Sequence, residues 1–208
     1  MIQVATELLK RWHPATAYTH SDEITLIFSP GTTSKRDVIP EKKPGYVHPF
    51  NGRVTKLCSV LASECGILFC KFAAKLGMPD LIWAFDARVL SFGPSELYEV
   101  ANHMIFRQRD CKRNAVSTIA RAKFGHKATM NKNTTQLMDM LQINPNDPET
   151  QLSGDMCGTF IKKTRPSPEQ EPCQTQVPNK ERSHAQIRHM VVPPNGHDIL
   201  LAKYWPTH

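Results

Sequence analysis

Residues 15–28 read ATAYTHSDEITLIF, and this stretch decides the predicted fold. Two runs within it, 15–19 and 23–28, are rich in the β-branched and aromatic residues that are typical of strands. Apolar side chains stand at every second position from Ile24 onward, so they share one face of a strand. Because only the short string HSD at 20–22 joins the two runs, the sequence predicts a β-hairpin with an acidic tip.

Helical periodicity is found on both sides of the hairpin. The apolar residues of segment 2–12 fall on one helical face. Those of segment 54–76 recur at i+3 and i+4 until Gly77 and Pro79 end the pattern. The sequence therefore predicts one helix before the hairpin and a longer one after it.

Two further elements follow the second helix. Residues 81–92 form a β-type run, in which Asp86 and Arg88 share one face of the predicted strand. This pair either contributes to a site or forms an ordinary ion pair on the sheet surface. Gly93 then introduces a long helical pattern that closes at Gly125.

The predicted order of elements is helix, strand, strand, helix, strand, helix, which indicates an α+β fold. It matches the split βαβ (ferredoxin-like) order β-α-β-β-α-β except for the first strand. No capping residue stands before the helix at 2–12, so this helix has no recognisable start. We therefore expect an N-terminally truncated domain whose first strand would precede Met1.

Two segments lack a periodic pattern. Residues 29–51 are rich in Pro, Gly and Lys, which predicts a long exposed loop. Residues 164–195 contain six prolines among mostly polar neighbours, which predicts a disordered or linking segment. Residues 197–205 either pack back onto the domain or form a polar tail. The predicted organisation is one α+β domain with a helical C-terminal part over 1–163, followed by a Pro-rich linker and tail over 164–208.

Positive charge is concentrated in one part of the chain. The formal net charge is +7, from 26 Lys and Arg residues against 19 Asp and Glu residues. Between His103 and Lys132 there are eight basic residues and one acid, Asp110, so this segment carries the whole excess. Such a basic stripe favours a polyanionic partner, nucleic acid or nucleotide phosphate, although a solvated helix face has the same composition.

The composition also excludes several classes of protein. No apolar run approaches the roughly 20 residues of a membrane helix, so we expect an intracellular protein, cytoplasmic or mitochondrial, without a membrane partner. The six cysteines include no C-x-x-C pair, and we interpret them as reduced core residues. The histidines share no zinc-ligand spacing. Neither a Gly-rich phosphate loop nor a nucleophile elbow occurs, which argues against a P-loop kinase and an α/β-hydrolase.

The acidic hairpin tip is the best candidate for a catalytic site. Asp22 and Glu23 offer neighbouring carboxylate oxygens, which are the ligands that Mg²⁺ prefers. A bound Mg²⁺ would orient a triphosphate and neutralise the charge that develops at phosphorus. The alternative is an ordinary structural turn, because Asp is an ordinary turn residue.

Five strings, taken in order, resemble the tRNA-His guanylyltransferase family and its guanylyltransferase-like relatives. They are YTHSDEITLIF (18–28), GRVTKLCSVLAS (52–63), FDARV (85–89), FRQRDCKRNAVS (106–117) and CGTFIKK (157–163). The resemblance covers residues 1–163. It implies a palm-like polymerase domain, which agrees with the βαβ order predicted from the periodicity.

The resemblance implies a nucleotidyltransferase that extends the 5′ end of tRNA in the 3′-to-5′ direction, with GTP and ATP as substrates. It implies a two-ion Mg²⁺ site with Asp22 and Glu23 as ligands, and a role for Ser21 in activation of the RNA end. Nucleotide or tRNA contacts are implied for Arg107, Arg109, Lys112, Arg113 and Asn114, with Asp110 in the same block. The resemblance also implies a homo-oligomer, because members of the family are expected to be tetramers.

Two features depart from the family pattern. The D-G-R-x-F string that carries the first metal ligand of the family is absent, which predicts weak metal binding and low activity unless residues before Met1 supply it. The string KRNAVST at 112–118 differs from the H-I-N-N-L-Y-N of tRNA-His enzymes and resembles the branch that repairs tRNA 5′ ends. A non-catalytic tRNA-binding remnant of the family is the main alternative, and a nucleotide cyclase is a distant third.

Overall fold

The computed structural model describes residues 1–31, 47–144, 147, 153–164 and 185–206. Within these ranges one antiparallel sheet has the strand order β2-β1-β3-β4. Its strands are β1 (Thr16–His20), β2 (Glu23–Ile27), β3 (Thr159–Lys163) and β4 (Ala185–Arg188). The chain thus combines helices with an antiparallel sheet, as the predicted α+β class requires.

The three long helical patterns of the sequence are confirmed. The main helices are α1 (Ile2–Trp12), α2 (Val54–Lys75) and α3 (Tyr98–Phe124). Shorter helices follow as α4 (His126–Thr129), α5 (Thr134–Leu141), α6 (Gly154–Cys157) and α7 (His197–Leu201), and 3-10 turns lie at Pro49–Gly52 and Pro94–Glu96. Gly125 ends α3 with a φ of 81°, a conformation that favours glycine.

The predicted hairpin is also present, and its first strand lies in the core. All five residues of β1 are buried because helices cover both faces of the sheet at this strand. Ala17 packs against Leu9 of α1, whereas Tyr18 packs in the same cluster as Met104 of α3. His20 pairs with Glu23 at the end of the ladder, so the hairpin tip emerges at the edge of α3.

The strand predicted over 81–92 is wrong. In the structure this segment is irregular and lies along α2 instead of beside another strand. The backbone N–H of Trp83 donates to Cys70 Sγ at 3.3 Å, and the rings of Phe69 and Phe85 lie 5.6 Å apart. A Cβ on Gly66 would come within 3.0 Å of the Trp83 carbonyl, so glycine permits the close approach. Side-chain contacts with a helix replace the ladder that a strand requires.

The linker expected over 164–195 contains a strand, which corrects that prediction at 185–188. β4 pairs with β3 from Phe160↔Arg188 to Lys163↔Ala185. Residues 165–184, which include most of the predicted disordered segment, lie outside the described residues, as do 32–46 of the predicted loop. The segment after β4 packs back: α7 contributes buried Leu200, and Trp205 is buried in the cluster that contains Tyr18.

A buried lysine joins the sheet to this returning segment. Lys162 is fully buried, and its Nζ donates to Thr16 Oγ1 at 2.6 Å, to the carbonyl oxygens of Ala15 and Leu200 at 3.3 Å each, and to that of Ala202. Burial lowers the pKa of Lys162 to about 7. The lysine therefore links β1, β3 and the chain after α7 through hydrogen bonds.

Helix α2 is long and apolar enough to cross a membrane by its length and composition, with a mean hydropathy of 1.6 in its most apolar window. The sequence expectation that no apolar run approaches this length is therefore wrong for α2, where only Glu64 and Lys71 carry charge within the window. Only 28% of the window is buried, by α1 and by segment 81–92 on one side. Ile67, which lines a surface pocket together with Trp83 of that segment, is 67% exposed.

Candidate acidic site between the hairpin and α3

The hairpin tip and the middle of α3 meet through an arginine. Arg107 Nη1 lies 3.3 Å from Glu23 Oε2, and Arg107 Nη2 donates to Asp110 Oδ2 at 2.8 Å. Arg113 contacts the other oxygen of Asp110. The i, i+3 spacing of 107, 110 and 113 places the three charged side chains on one side of the helix. Two carboxylates and two guanidinium groups thus form one cluster.

Burial makes the central members of this cluster more than an ordinary surface pair. The side chains of Arg107 and Asp110 are 20% and 14% exposed, whereas that of Glu23 is 45% exposed. Partly buried ion pairs are screened less by salt than exposed ones. Arg107 Nε is buried and has no hydrogen-bond partner within the described part of the chain.

Buried side chains hold α3 in this position. Gln108 Nε2 donates to the carbonyl oxygens of Cys157 at 2.8 Å and Met190 at 2.6 Å, and its Oε1 accepts from the Val192 N–H at 2.8 Å. Met104, one turn earlier, is fully buried against the sheet. These hydrogen bonds of Gln108 fix the rotation of α3. The adjacent Arg107 then points toward Glu23 of the hairpin.

His20 lies beneath the carboxylates. Its Nε2 is 3.3 Å from Glu23 Oε2, its side chain is 3% exposed, and its ring centroid lies 5.6 Å from that of Tyr18. Neither ring nitrogen has a hydrogen-bond partner of acceptable geometry among the described residues. A buried polar atom without a partner is unusual in folded proteins and frequently marks a functional position.

The cluster offers a donor set for one cation. Ligand atoms of His20, Glu23 and Asp110 all lie within 4.8 Å of one another. The two carboxylates supply the oxygen ligands that Mg²⁺ prefers, while imidazole is a better ligand for transition metals. The residues therefore fit a divalent cation bound mainly by Glu23 and Asp110, at a position where Arg107 now neutralises the same two carboxylates.

His103 is a further titratable group at this site. Burial and the positive charge of Arg107 lower the pKa of His103, and the carboxylate of Glu23 opposes this shift. The lowered pKa favours the neutral imidazole. In the layer below, burial raises the pKa of Tyr18, whose hydroxyl donates to the Cys157 carbonyl at 3.1 Å.

The structure gathers some of the predicted site residues and leaves others apart. Glu23, Arg107 and Arg113 belong to the cluster. Ser21 and Asp22 form the exposed turn, with Ser21 in a left-handed conformation at a φ of 48°, and Asp22 is not among the clustered ligand atoms. Of the remaining predicted contacts on α3, Arg109 and Asn114 are exposed and Lys112 is half-buried.

Sequence reasoning missed three members of the site as ligands or proton carriers: His20, His103 and Asp110. One signal was present, because Asp110 is the single acid of the basic segment and an isolated acid there requires a partner. The other candidate pair, Asp86 and Arg88, lies 3.5 Å apart with both side chains more than 80% exposed. The interpretation of this pair as a surface ion pair is confirmed, although not on a strand.

The N-terminal part of the chain matches a known protein family. The sequence model of the family described as tRNAHis guanylyltransferase matches residues 1–93, which include the hairpin and α2. An uncharacterized protein of Acanthamoeba polyphaga mimivirus is 34% identical over 164 residues, covering 70% of this chain and 54% of that protein. The chain thus spans about half the length of this relative.

Two solved structures share the fold. A bacterial tRNA(His) guanylyltransferase-like protein in complex with ATP has a TM-score of 0.67 at 21% identity, covering 92% of this chain and 72% of that one. Such a protein in complex with GTP has a TM-score of 0.58 at 20% identity, with coverages of 92% and 70%. The resemblance found in the sequence is therefore confirmed: residues 1–93 match the model of the tRNAHis guanylyltransferase family, and the fold is similar to that of the guanylyltransferase-like proteins.

Proposed function

We propose that the protein is a tRNA 5′-end nucleotidyltransferase that adds G or other nucleotides in the 3′-to-5′ direction, with GTP and ATP as substrates. The observation that carries this proposal is the cluster of Glu23, Asp110 and Arg107 at the meeting point of the hairpin and a basic helix. It supplies carboxylates for a divalent cation and guanidinium groups for phosphate in one place. The ATP-bound and GTP-bound neighbours of the same fold support this assignment.

In this proposal the acidic residues of the site bind the metal ion, and the basic residues contact phosphate. Mg²⁺ bound by Glu23 and Asp110, with Asp22 close by on the turn, would neutralise negative charge on the triphosphate. Arg107 is positioned to exchange its carboxylate partners for phosphate oxygens when a cation binds those carboxylates. Arg113, with a side chain 64% exposed, and the exposed Arg109 face solvent, where an RNA backbone has access.

The proposed reaction has two steps. In the first, the 5′-monophosphate of the RNA attacks the α-phosphorus of ATP or GTP, and pyrophosphate leaves. In the second, the 3′-hydroxyl of an incoming nucleotide attacks the activated 5′-phosphorus, and the nucleoside monophosphate leaves. Ser21 on the exposed turn is proposed to contact the RNA end during activation.

The absence of the D-G-R-x-F string from this sequence predicts a low rate of nucleotide addition. Because two-metal sites stabilise both the attacking and the leaving oxygens, a site with one carboxylate pair is expected to be much slower. We therefore propose low activity for the chain as given, and higher activity for a longer chain that carries this string before Met1. Both chains are expected to require Mg²⁺.

The test is incorporation of labelled GTP into a tRNA with a 5′-monophosphate. We expect Mg²⁺-dependent incorporation that Glu23→Gln and Asp110→Asn each reduce at least about tenfold, because each removes one anionic metal ligand. Asp86→Asn is the matched control, since this carboxylate lies on the exposed pair with Arg88. Incorporation that is equal in all four proteins, or absent from both the given and the longer chain, would contradict the proposal.

A second candidate function is a non-catalytic tRNA-binding protein. It is favoured by the position of Arg107, which satisfies both carboxylates without a cation. On this hypothesis the protein binds tRNA with a steep salt dependence but has no Mg²⁺-dependent affinity for GTP. Measurable binding of Mg²⁺·GTP by the parent, lost in Asp110→Asn, would decide for the enzyme.

We also propose that the protein is a homo-oligomer, as the resemblance implies. Ile67 on α2 is 67% exposed, and Ile82, in the segment that lies along α2, is 90% exposed; exposed apolar residues of this size commonly mark contact surfaces. The mass in solution, measured by light scattering, is expected to exceed that of one chain. Ile67→Glu is expected to lower this mass, whereas Val47→Glu, an exposed position before α2, serves as the control.

A further inference from the structure

An exposed aromatic ring lies beside the acidic site. Phe106 is 61% exposed although it stands in the middle of α3, and it belongs to no buried cluster of the described residues. Its ring centroid lies 4.9 Å from Arg107 Cζ, a cation–π distance. A large apolar ring that contributes so little to the core has no evident role in stability.

The position of Phe106 on the helix relates it to the charged groups. Asp110 follows at i+4 and Arg109 at i+3, so the ring, a carboxylate and an exposed guanidinium are neighbours on the helix surface. Through Arg107 the ring is also connected to Glu23, because the guanidinium that contacts the ring lies 3.3 Å from that carboxylate. The aromatic surface and the proposed cation position thus both adjoin one guanidinium group.

This arrangement matches the chemistry of a nucleotide. In a nucleoside triphosphate one ribose separates a flat apolar base from a polyanion that binds a metal. An aromatic side chain can stack on the base, while carboxylates hold the cation and a guanidinium contacts phosphate. All three kinds of group are present within a short stretch of α3 and the adjacent hairpin tip.

We propose that Phe106 is the stacking platform for the purine base of the bound nucleoside triphosphate. The proposal rests on the proposed function and adds the subsite for the base to it. Stacking recognises the π-face that every base has, so Phe106 would contribute affinity for both GTP and ATP without choosing between them. The cation–π contact with Arg107 holds the ring and the phosphate-binding group in a fixed relation.

Binding of the fluorescent nucleotide 2-aminopurine riboside triphosphate in the presence of Mg²⁺ tests this proposal. Stacking on an aromatic ring quenches 2-aminopurine, so binding to the parent is expected to quench its emission. In Phe106→Leu we expect loss of the quenching and an about tenfold weaker affinity, and in Phe106→Tyr recovery of both. Inorganic tripolyphosphate, which has no base, is expected to bind the parent and Phe106→Leu equally.

Tyr98→Leu is the matched control, because Tyr98 is another exposed aromatic residue of α3, 49% exposed, at the far N-terminal end of the helix. Unchanged quenching and affinity in Phe106→Leu would overturn the stacking platform while leaving the proposed function intact. An equal loss of tripolyphosphate affinity in Phe106→Leu would overturn it too, since the ring would then act only through Arg107. Failure of the parent to bind either probe would overturn the proposed function and the base subsite together.

Discussion

The guanidinium of Arg107 lies 3.3 Å from the carboxylate of Glu23, and this contact joins α3 to the tip of the hairpin. The same guanidinium also pairs with Asp110, so one positive charge is shared by two carboxylates. A divalent metal ion at this position would bind the same carboxylate oxygen atoms that Arg107 contacts. Arg107 and a divalent metal ion are therefore expected to compete for the site.

Replacement of Arg107 by leucine tests this competition. Removal of the guanidinium leaves two partly buried carboxylates without their shared partner, so we expect Arg107→Leu to bind Mn²⁺ at least about tenfold more tightly than the parent. Electron paramagnetic resonance of free Mn²⁺ measures the affinity. Arg88→Leu removes an arginine from the exposed pair with Asp86 and should leave Mn²⁺ binding unchanged. Equal affinity in the parent and in Arg107→Leu would mean that the carboxylates do not hold the metal.

The titration of His103 should report the charges of the same cluster. Arg107 lowers the pKa of His103 and Glu23 raises it, so the two substitutions have opposite expected effects. We expect Glu23→Gln to lower the pKa of His103 further and Arg107→Leu to raise it toward its ordinary value of 6.5. Proton NMR of the imidazole across pH 4 to 8 measures both shifts, with Asp86→Asn as the control. Shifts of the same sign in the two variants would show that the imidazole does not sense the cluster directly.

The buried Lys162 should make stability depend on pH. Its pKa is about 7 in the folded chain and 10.5 ordinarily, so between these values the unfolded chain binds a proton that the folded chain does not. Stability is therefore expected to rise with pH from 7 toward 10.5, by up to about 1.4 kcal/mol per pH unit. Urea unfolding at several pH values measures the slope.

The slope of stability against pH should be measured between about pH 7 and pH 9. Above this range the cysteines interfere, because burial raises the pKa of Cys65 and Cys157 from 9.0 to about 11. Those thiols give the opposite slope above pH 9.0, since the folded chain then retains their protons. Lys162→Met should reduce the slope without abolishing it, because Lys163 also has a lowered pKa. Lys71→Met, at an exposed position of α2, should keep the parental slope. A parental slope in Lys162→Met would mean that Lys162 stays charged in the folded protein.

Gln108 should be important for stability, although it lies next to a site residue. Its amide makes three hydrogen bonds to the backbone at Cys157, Met190 and Val192. Gln108→Leu removes the side-chain partner of the Met190 carbonyl and the Val192 N–H, while the Cys157 carbonyl keeps its hydrogen bond from Tyr18, so we expect a loss of about 3 kcal/mol in the free energy of unfolding. Urea denaturation measures it. Asn102→Leu, on the exposed side of α3, should change stability by less than about 0.5 kcal/mol, and an equally small effect of Gln108→Leu would contradict the assignment.

The sequence predicted the long helices and the hairpin well because their signals are local. Periodicity at i+3 and i+4, with Gly77 and Gly125 as stop signals, depends on residues within one or two turns. The hairpin needed only its two runs and a short turn, all between residues 15 and 28. Segment 81–92 has the composition of a strand, yet it lies on α2, because strand composition does not provide a partner strand.

The candidate site was predicted only in part. The basic stripe on α3 and the carboxylate of Glu23 were recognised from charge and from the acidic tip. The grouping of Glu23 with Asp110 and His20, without Asp22, was not, since the sequence does not say which side chain of the tip faces the helix. That choice depends on how Gln108 and Met104 seat α3 against the sheet.

The sequence by itself determined the helices, the hairpin, the concentration of positive charge and the family resemblance, since each depends on nearby residues or on ordered short strings. Only the tertiary structure decided that 159–163 and 185–188 are strands, and that Arg107 lies between two carboxylates from distant parts of the chain. The physical reason is that sheet pairing and charge pairing are contacts across space. Their free energy is realised only when the core around Tyr18, Met104 and Phe160 brings those distant segments together.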